Sequence, residues 1–446
     1  MKNFDTLLPS FESVNEEAAD LALGHTDEIN YSSSEADAYA QEQNAIGRDL
    51  ERQQDLIEGG TQDLASLESL ANAIDAARDV GMEMGSAQFM HIHLNDVQKR
   101  YGIDSLETAA PSMECFQERR ARIAATASLE SVKETAAKVW AWIKEQFAKF
   151  IAMMKNFYHQ ITKSLDYIDR EADTIKQKVR RMKFEGGGQI AIGRAAKKIC
   201  YEGEVNGDFT SRLNQVASLT HVGAETLDRI RQEVIERLNE NGVAGREIPI
   251  PNTFTQVHKA GRFSFGTDAL NVYASTRLPG DVCVLIQTFG NHNDDSAFHF
   301  ASATTVHARV MTAPFDEDQK DPGRDAPALS STEIFALCQR LQKTVAQLKS
   351  SRDAAARHIE KMGAEVSNWG RKAAQDRGAP ELIQKTAGWS VKRATIYAGP
   401  LFRHCEKVAF DVCVGYLTYA KRSIAHAEEK ASKPSFKPGL PQLTAD

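Results

Sequence analysis

Four side chains in "GNHNDDSAFHF", His292, Asp294, Asp295 and His299, are of the kinds that bind divalent metals. Their spacing matches no familiar ligand pattern, and "NHND" between two apolar runs has the composition of a turn. His91 and His93 in "HIH" make a still poorer pair. A second candidate is "GGGQIAIGRAAKK", Gly186 to Lys198. Gly188 and Gly193 have the gap of a phosphate-binding loop, but Arg194-Ala195 stands where Lys and Ser or Thr should meet the phosphates and magnesium. No apolar strand precedes it, so a flexible hinge after a long helix is expected. No GxSxG, HExxH or CxxC pattern occurs. The reading therefore assigns no catalytic residue, no metal and no cofactor, and expects a protein that is not an enzyme.

A different chemistry is written in a tripeptide. Of eleven serines in residues 1–130, six have Glu two positions later, at Glu12, Glu35, Glu68, Glu107, Glu114 and Glu130. With fourteen glutamates in that stretch, chance gives roughly one match. In residues 131–446 one serine of seventeen matches, at Ser331-Thr332-Glu333. Glu two places after Ser is not a capping spacing, which is three. A protease with a narrow pocket followed by a basic one would read a small residue and then an acid, given a chain it can thread.

Charge changes at the same place. Residues 1–130 hold 25 Asp and Glu against 9 Lys and Arg, a balance of −16. The remainder holds 36 acidic and 45 basic residues, a balance of +9. An acidic arm on a basic body suits an anionic partner for the body. Eight cations bracket the end of a long basic helix: Lys176, Lys178, Arg180, Arg181, Lys183, Arg194, Lys197 and Lys198. They are expected to meet a DNA backbone as simple charges.

The elements that must position these groups follow from periodicity. Residues 1–60 are poor in large apolar residues, so a packed core is not expected there. Leu64, Leu67, Leu70, Ile74 and Ala77 mark an amphipathic helix, with Gly81 and Gly85 as its breakers. From Ser131 to about Lys183 no Pro or Gly interrupts a broad apolar face that includes Trp140, Ile143, Phe147, Phe150, Met154 and Phe157. Ser131 with Glu134 has the capping-box spacing, so the helix is expected to begin at Ser131. That face fits the seam of a helical bundle, with insertion at a membrane interface as the alternative. A helix at 211–240 precedes three to five antiparallel strands in 245–312, where β-branched and aromatic runs alternate with turn dipeptides. Helices at 332–374 and 380–430 close the chain before a tail, 433–446, expected to be disordered.

The fold class is thus mainly α: a long-helix bundle with a small antiparallel β insertion in the middle and a weakly structured N-terminal arm. Its parts are 1–130, 131–185, a mixed region 186–330, helices in 331–432 and the tail. No apolar run is long enough to span a membrane, and the N-terminus lacks the pattern of a secretory signal. Six scattered cysteines suit free thiols in a reducing compartment.

With its acidic arm, its cut-like "SLE" at Ser128-Leu129-Glu130 and the following "SVKETAAKVWAWIKEQF", the chain resembles the internal head (inner body) proteins of giant tailed phages related to phiKZ. The resemblance implies a precursor whose propeptide is removed by a prohead protease that cuts after Glu. Glu130 would precede the scissile bond and Ser131 would begin the mature chain. It further implies a structural protein inside the capsid, made in the host cytoplasm. Its partners would be packaged genomic DNA, other internal head or capsid proteins, and further copies of itself.

Overall fold

The computed structural model describes residues 34–80, 84–103, 118–205, 208–239, 250–257, 269–289, 305–312, 323, 325–375, 391 and 394–432. Seven α-helices lie among them: α1 (Ser34–Val80), α2 (Met84–Arg100), α3 (Glu118–Arg180), α4 (Ala195–Ile199), α5 (Phe209–Asn239), α6 (Ser331–Gln375) and α7 (Gly399–Ser432). A π-helical turn, Ala394–Ala398, leads into α7. The mainly helical class and the small central sheet are as the sequence leads one to expect.

α3 is the spine. Its apolar face is wide enough to serve two sets of partners, and it encloses Trp140, Phe147 and Phe150 as anticipated. On one side α6 runs antiparallel to it, tied by Lys155–Glu360 and Lys349–Asp166. α7 runs parallel to its second half, through Lys421–Glu171 and Lys178–Glu428. Gly399 opens α7 where a Cβ would lie 3.0 Å from both the Ala394 carbonyl and the Phe150 ring, so a side chain there would force the two helices apart. α5 packs on α6 and α7; Arg231 reaches Glu365, and Gly223 lies against Phe402. α7 is therefore surrounded, and most of its residues from Gly399 to Ile424 are buried.

The other side of α3 holds α1, antiparallel along about 70 Å (47 residues at 1.5 Å each). Here the structure departs from the reading of residues 1–60, because Leu50 and Ile57 are wholly buried in the common core. The cause is a heptad repeat. Ala36, Gln43, Leu50, Ile57 and Leu64 recur every seven residues, and Ile46, Gln53, Gly60, Leu67 and Ile74 do so three places on. Two seam positions carry Gln, which hides the repeat from a hydrophobicity scan. Each is satisfied across the seam: Gln43 Nε2 donates to Ser164 Oγ at 3.0 Å, and Gln53 Nε2 donates to Gln146 O at 3.1 Å and Oε1 at 3.0 Å. These pairs fix the register. Gly60 lets α1 approach Trp142, whose ring would lie 2.7 Å from a Cβ there. α2 folds back on the end of α1, with Asp63 bridged by Arg100 and Tyr101, and Gln98 Nε2 donating to Thr135 Oγ1 at 2.9 Å.

The helix reaching α3 does not begin at Ser131. It runs continuously from Glu118 through Glu130 and Ser131. "ERRARIAATASLE" has no Pro or Gly and is rich in Ala and Arg, so propensity carries the helix across the supposed start. Ser131 is buried and caps nothing; its carbonyl accepts from Thr135 Oγ1, and Glu134 pairs with Lys138.

The strands β2 (Thr255–Val257), β3 (Ala269–Ala274), β4 (Val282–Phe289) and β5 (Thr305–Thr312) form an antiparallel meander in that order. β1 (Gln189–Ala191) pairs antiparallel with β6 (Asp325–Pro327). The glycine segment is thus pinned rather than hinge-like: Gly187 N donates to Ala328 O, and Ala328 N to Gly188 O. Gly187 and Gly188 take positive φ, which suits their lack of a side chain. The sheet partner lies some 140 residues downstream, beyond the reach of any local reading. The lone tripeptide of the body belongs to the start of α6, where Ser330 N and Oγ both donate to Glu333 Oε2 at 2.7 Å, a true capping box.

Candidate processing sites and the basic end of the bundle

Two of the six tripeptides fall wholly among the described residues, and a third does so from Ser34 on. Glu35 is in the first turn of α1, where its carboxylate accepts from Arg170 at 2.7 Å. Glu68 is half-buried in the last third of α1 and follows the fully buried Leu67; Ser66 of the same tripeptide meets His93 Nε2 at 2.8 Å. Glu130 is exposed on α3, while Leu129 is half-buried and Ser131 and Val132 are buried. Glu12, Glu107 and Glu114 lie outside the described residues. A bond inside a helix enters a protease cleft only after the helix around it opens, so the fold sets when Glu68 and Glu130 can be cut.

The arm ahead of Glu130 is held by more than its tether. Leu50, Ile57, Leu64, Leu67, Leu70, Ile74, Leu94 and Val97 are each under a tenth exposed. Each buried side chain of this kind contributes roughly 1.5–3 kcal/mol, so together they oppose release strongly. Arg403 of α7 adds a clamp, donating from Nη1 to Gly47 O at 2.6 Å and from Nη2 to Glu51 at 2.7 Å.

The eight cations do not gather in one place: Lys178 pairs with Glu428 near the end of α7, whereas Lys198 pairs with Asp411, about 25 Å back along the same helix, and several of the eight are engaged. Lys176 pairs with Asp173 and donates to Gln342 Oε1 at 2.6 Å. Arg180 lies 5.2 Å from the Phe335 ring. Arg181, Lys183, Arg194 and Lys197 are exposed. The structure adds Lys430 to the Lys178 end, its Nζ 3.4 Å from Gly187 O. Two carboxylates of α1, Glu35 and Glu51, pair across the bundle with Arg170 and Arg403. Sequence alone had no means of finding Lys430, since only the parallel packing of α3 and α7 brings it there.

The remaining candidate chemistry disperses. His292, Asp294, Asp295 and His299 lie outside the described residues. His91 meets Asn95 and His93 meets Ser66, and no cluster of three metal-ligating side chains occurs among the described residues. Cys200, Cys283, Cys338, Cys405 and Cys413 are buried free thiols. Burial raises Cys200, Cys338 and Cys413 to about 12, so they stay protonated and poorly nucleophilic. Glu406 is wholly buried in α7, and burial pushes its carboxyl up to about 8 against the opposing pull of Arg352. The aromatic face of α3 is enclosed, and no described helix is long and apolar enough to cross a membrane.

A family model of phiKZ-like phage internal head proteins matches residues 24–422. No curated protein and no solved structure matches the chain. The matched span takes in α1 and α2 together with the bundle, so the acidic arm is part of what defines the likeness. The chain belongs to the phiKZ-like phage internal head proteins.

Proposed function

We propose that this internal head protein is made in the host cytoplasm as a precursor and is cut by the prohead protease after Glu130. The body beginning at Ser131 then stays in the capsid with the genome. The observation that supports this best is a coincidence: the excess of Ser-x-Glu tripeptides and the charge of −16 end at the same residue. The cut would turn a chain of net −7 into a body of +9, suited to phosphates and not to base edges. With Glu35 and Glu51 paired to Arg170 and Arg403, the arm would restrain DNA binding chiefly through its summed field. Removing the arm would also bare one seam of α3, which a second copy or another internal head or capsid protein would then cover. The membrane-active alternative has no comparable support, since the face it needs is enclosed.

N-terminal sequencing of the protein from purified virions tests this reading. A start at Ser131 is expected; intact residues 34–130 at full stoichiometry would overturn it. Binding of the trimmed body to duplex DNA should fade as salt rises toward several tenths molar, where the screening length is roughly 5 Å.

A further inference from the structure

We infer that one cut does not release the arm: cleavage after Glu130 leaves α1 and α2 seated on α3, and only cuts within the arm free them. This rests on the processing reading above, and it accounts for why the arm carries six tripeptides instead of one. The seam does not depend on the chain being continuous. Leu50, Ile57, Leu67 and Ile74 are buried against the body, Gln43 and Gln53 bond across to α3, and Arg403 grips Gly47 and Glu51. None of these contacts involves Glu130 or its neighbours. A nick there removes a tether and leaves a two-chain particle of unchanged shape.

The upstream tripeptides divide that grip. A cut after Glu68 falls one residue beyond Leu67, near the middle of the buried set. It leaves Leu50, Ile57 and Leu64 with both cross-seam glutamines on one piece, and Leu70, Ile74 and Leu94 on the other. The second piece keeps only the last turns of α1, and a helix that short does not persist unaided. Each cut adds one water across one peptide bond, the hydroxyl going to the glutamyl carbon and the proton to the departing amine. The protease named above is the catalyst and is not consumed. The α3 seam therefore stays covered until the arm has been cut more than once, which delays its exposure relative to the first processing event.

Two altered full-length chains test this. In the first, a recognition site for a sequence-specific endoprotease is inserted within residues 104–117, so that a single cut needs no phage enzyme. Cut protein should give two bands under denaturing conditions yet elute as one particle holding both pieces in equal amounts. Loss of the N-terminal piece on the column would overturn the inference. In the second, Glu68→Gln, Glu107→Gln and Glu114→Gln are combined and the chain is treated with the prohead protease beside the unaltered chain. The unaltered chain should shed its arm, and the altered chain should be cut after Glu130 but keep it. Shedding by both, or retention by both, would contradict the inference. If the protease cuts neither chain, the processing reading fails, and the inserted site still decides whether a severed arm is held.

Discussion

α1 and α7 pack on the same helix in opposite styles. α1 offers α3 a narrow heptad stripe with two glutamines and a glycine in it, and outside that stripe it meets α7 through Arg403 and α2 through Asp63 and Ser66. α7 is enclosed by α3, α5 and α6, and Tyr416, Tyr419 and Phe402 are among the largest fully buried side chains of the protein. A stripe can be peeled away and leave its partner folded, whereas a surrounded helix cannot be removed without dissolving the core. The contrast supports the proposal that the arm is removed while α7 stays.

The largest effect expected of a single change is Phe402→Ala in α7. Its ring meets Tyr158 edge-on, and its loss should cost about 3–5 kcal/mol, seen as a lower denaturant midpoint for the whole protein. Ile57→Ala in the arm should cost about 2–5 kcal/mol, but locally. Hydrogen exchange should quicken in α1 and α2 while α7 stays protected; equal loosening of both would remove the distinction.

Glu406 offers a sharper probe of α7. Tyr158 faces it from α3, Arg352 from α6, and Cys405 and Cys413 from α7 itself. Its Oε1 has no hydrogen-bond partner among the described residues. The carboxyl is held neutral to about pH 8 in the fold, against an ordinary value of 4.5. Between those values the unfolded chain releases a proton that the folded chain keeps. Stability should therefore fall by at most about 1.4 kcal/mol per pH unit as pH rises through that window, with no effect below it and no further loss above it. Glu406→Gln should flatten that slope, measured as melting temperature from pH 5 to 8. An unchanged slope would place the titration elsewhere.

The smallest effect is expected at the seam. Replacing Gln53 and Gln146 together by Leu should be neutral or stabilising by up to about 1 kcal/mol, because both partners of a buried pair are removed at once. The same change should tighten the arm and slow its exchange. A loss of several kcal/mol would show that these glutamines hold the fold and do not merely set its register.

These two styles of packing also explain what the sequence revealed. The aromatic stripe of α3, the period-two runs of the sheet and the helices after Ser331 carry strong local patterns, and each was legible. The last third of α1 was legible from Leu64, Leu67, Leu70 and Ile74, but its earlier part was not, because Gln43, Gln53 and Gly60 break the apolar stripe there; its signal is the seven-residue period and not hydrophobicity. The helix start at Ser131 was misplaced because a capping spacing is a weak cue beside an Ala- and Arg-rich approach without a breaker. The excess of tripeptides was plain, but which of them lie inside helices depends on packing with partners far along the chain. The basic residues were legible as charge, while their division between Glu428 and Asp411, far apart along α7, was not.

Hydrogen exchange of the full-length chain, followed by mass spectrometry and compared between residues 36–74 and 401–424, tests the removable-arm account most directly. The account predicts that both segments are protected, with α1 opening at a lower denaturant concentration while α7 exchanges only through global unfolding. Protection lost from both segments together at every denaturant concentration would contradict it.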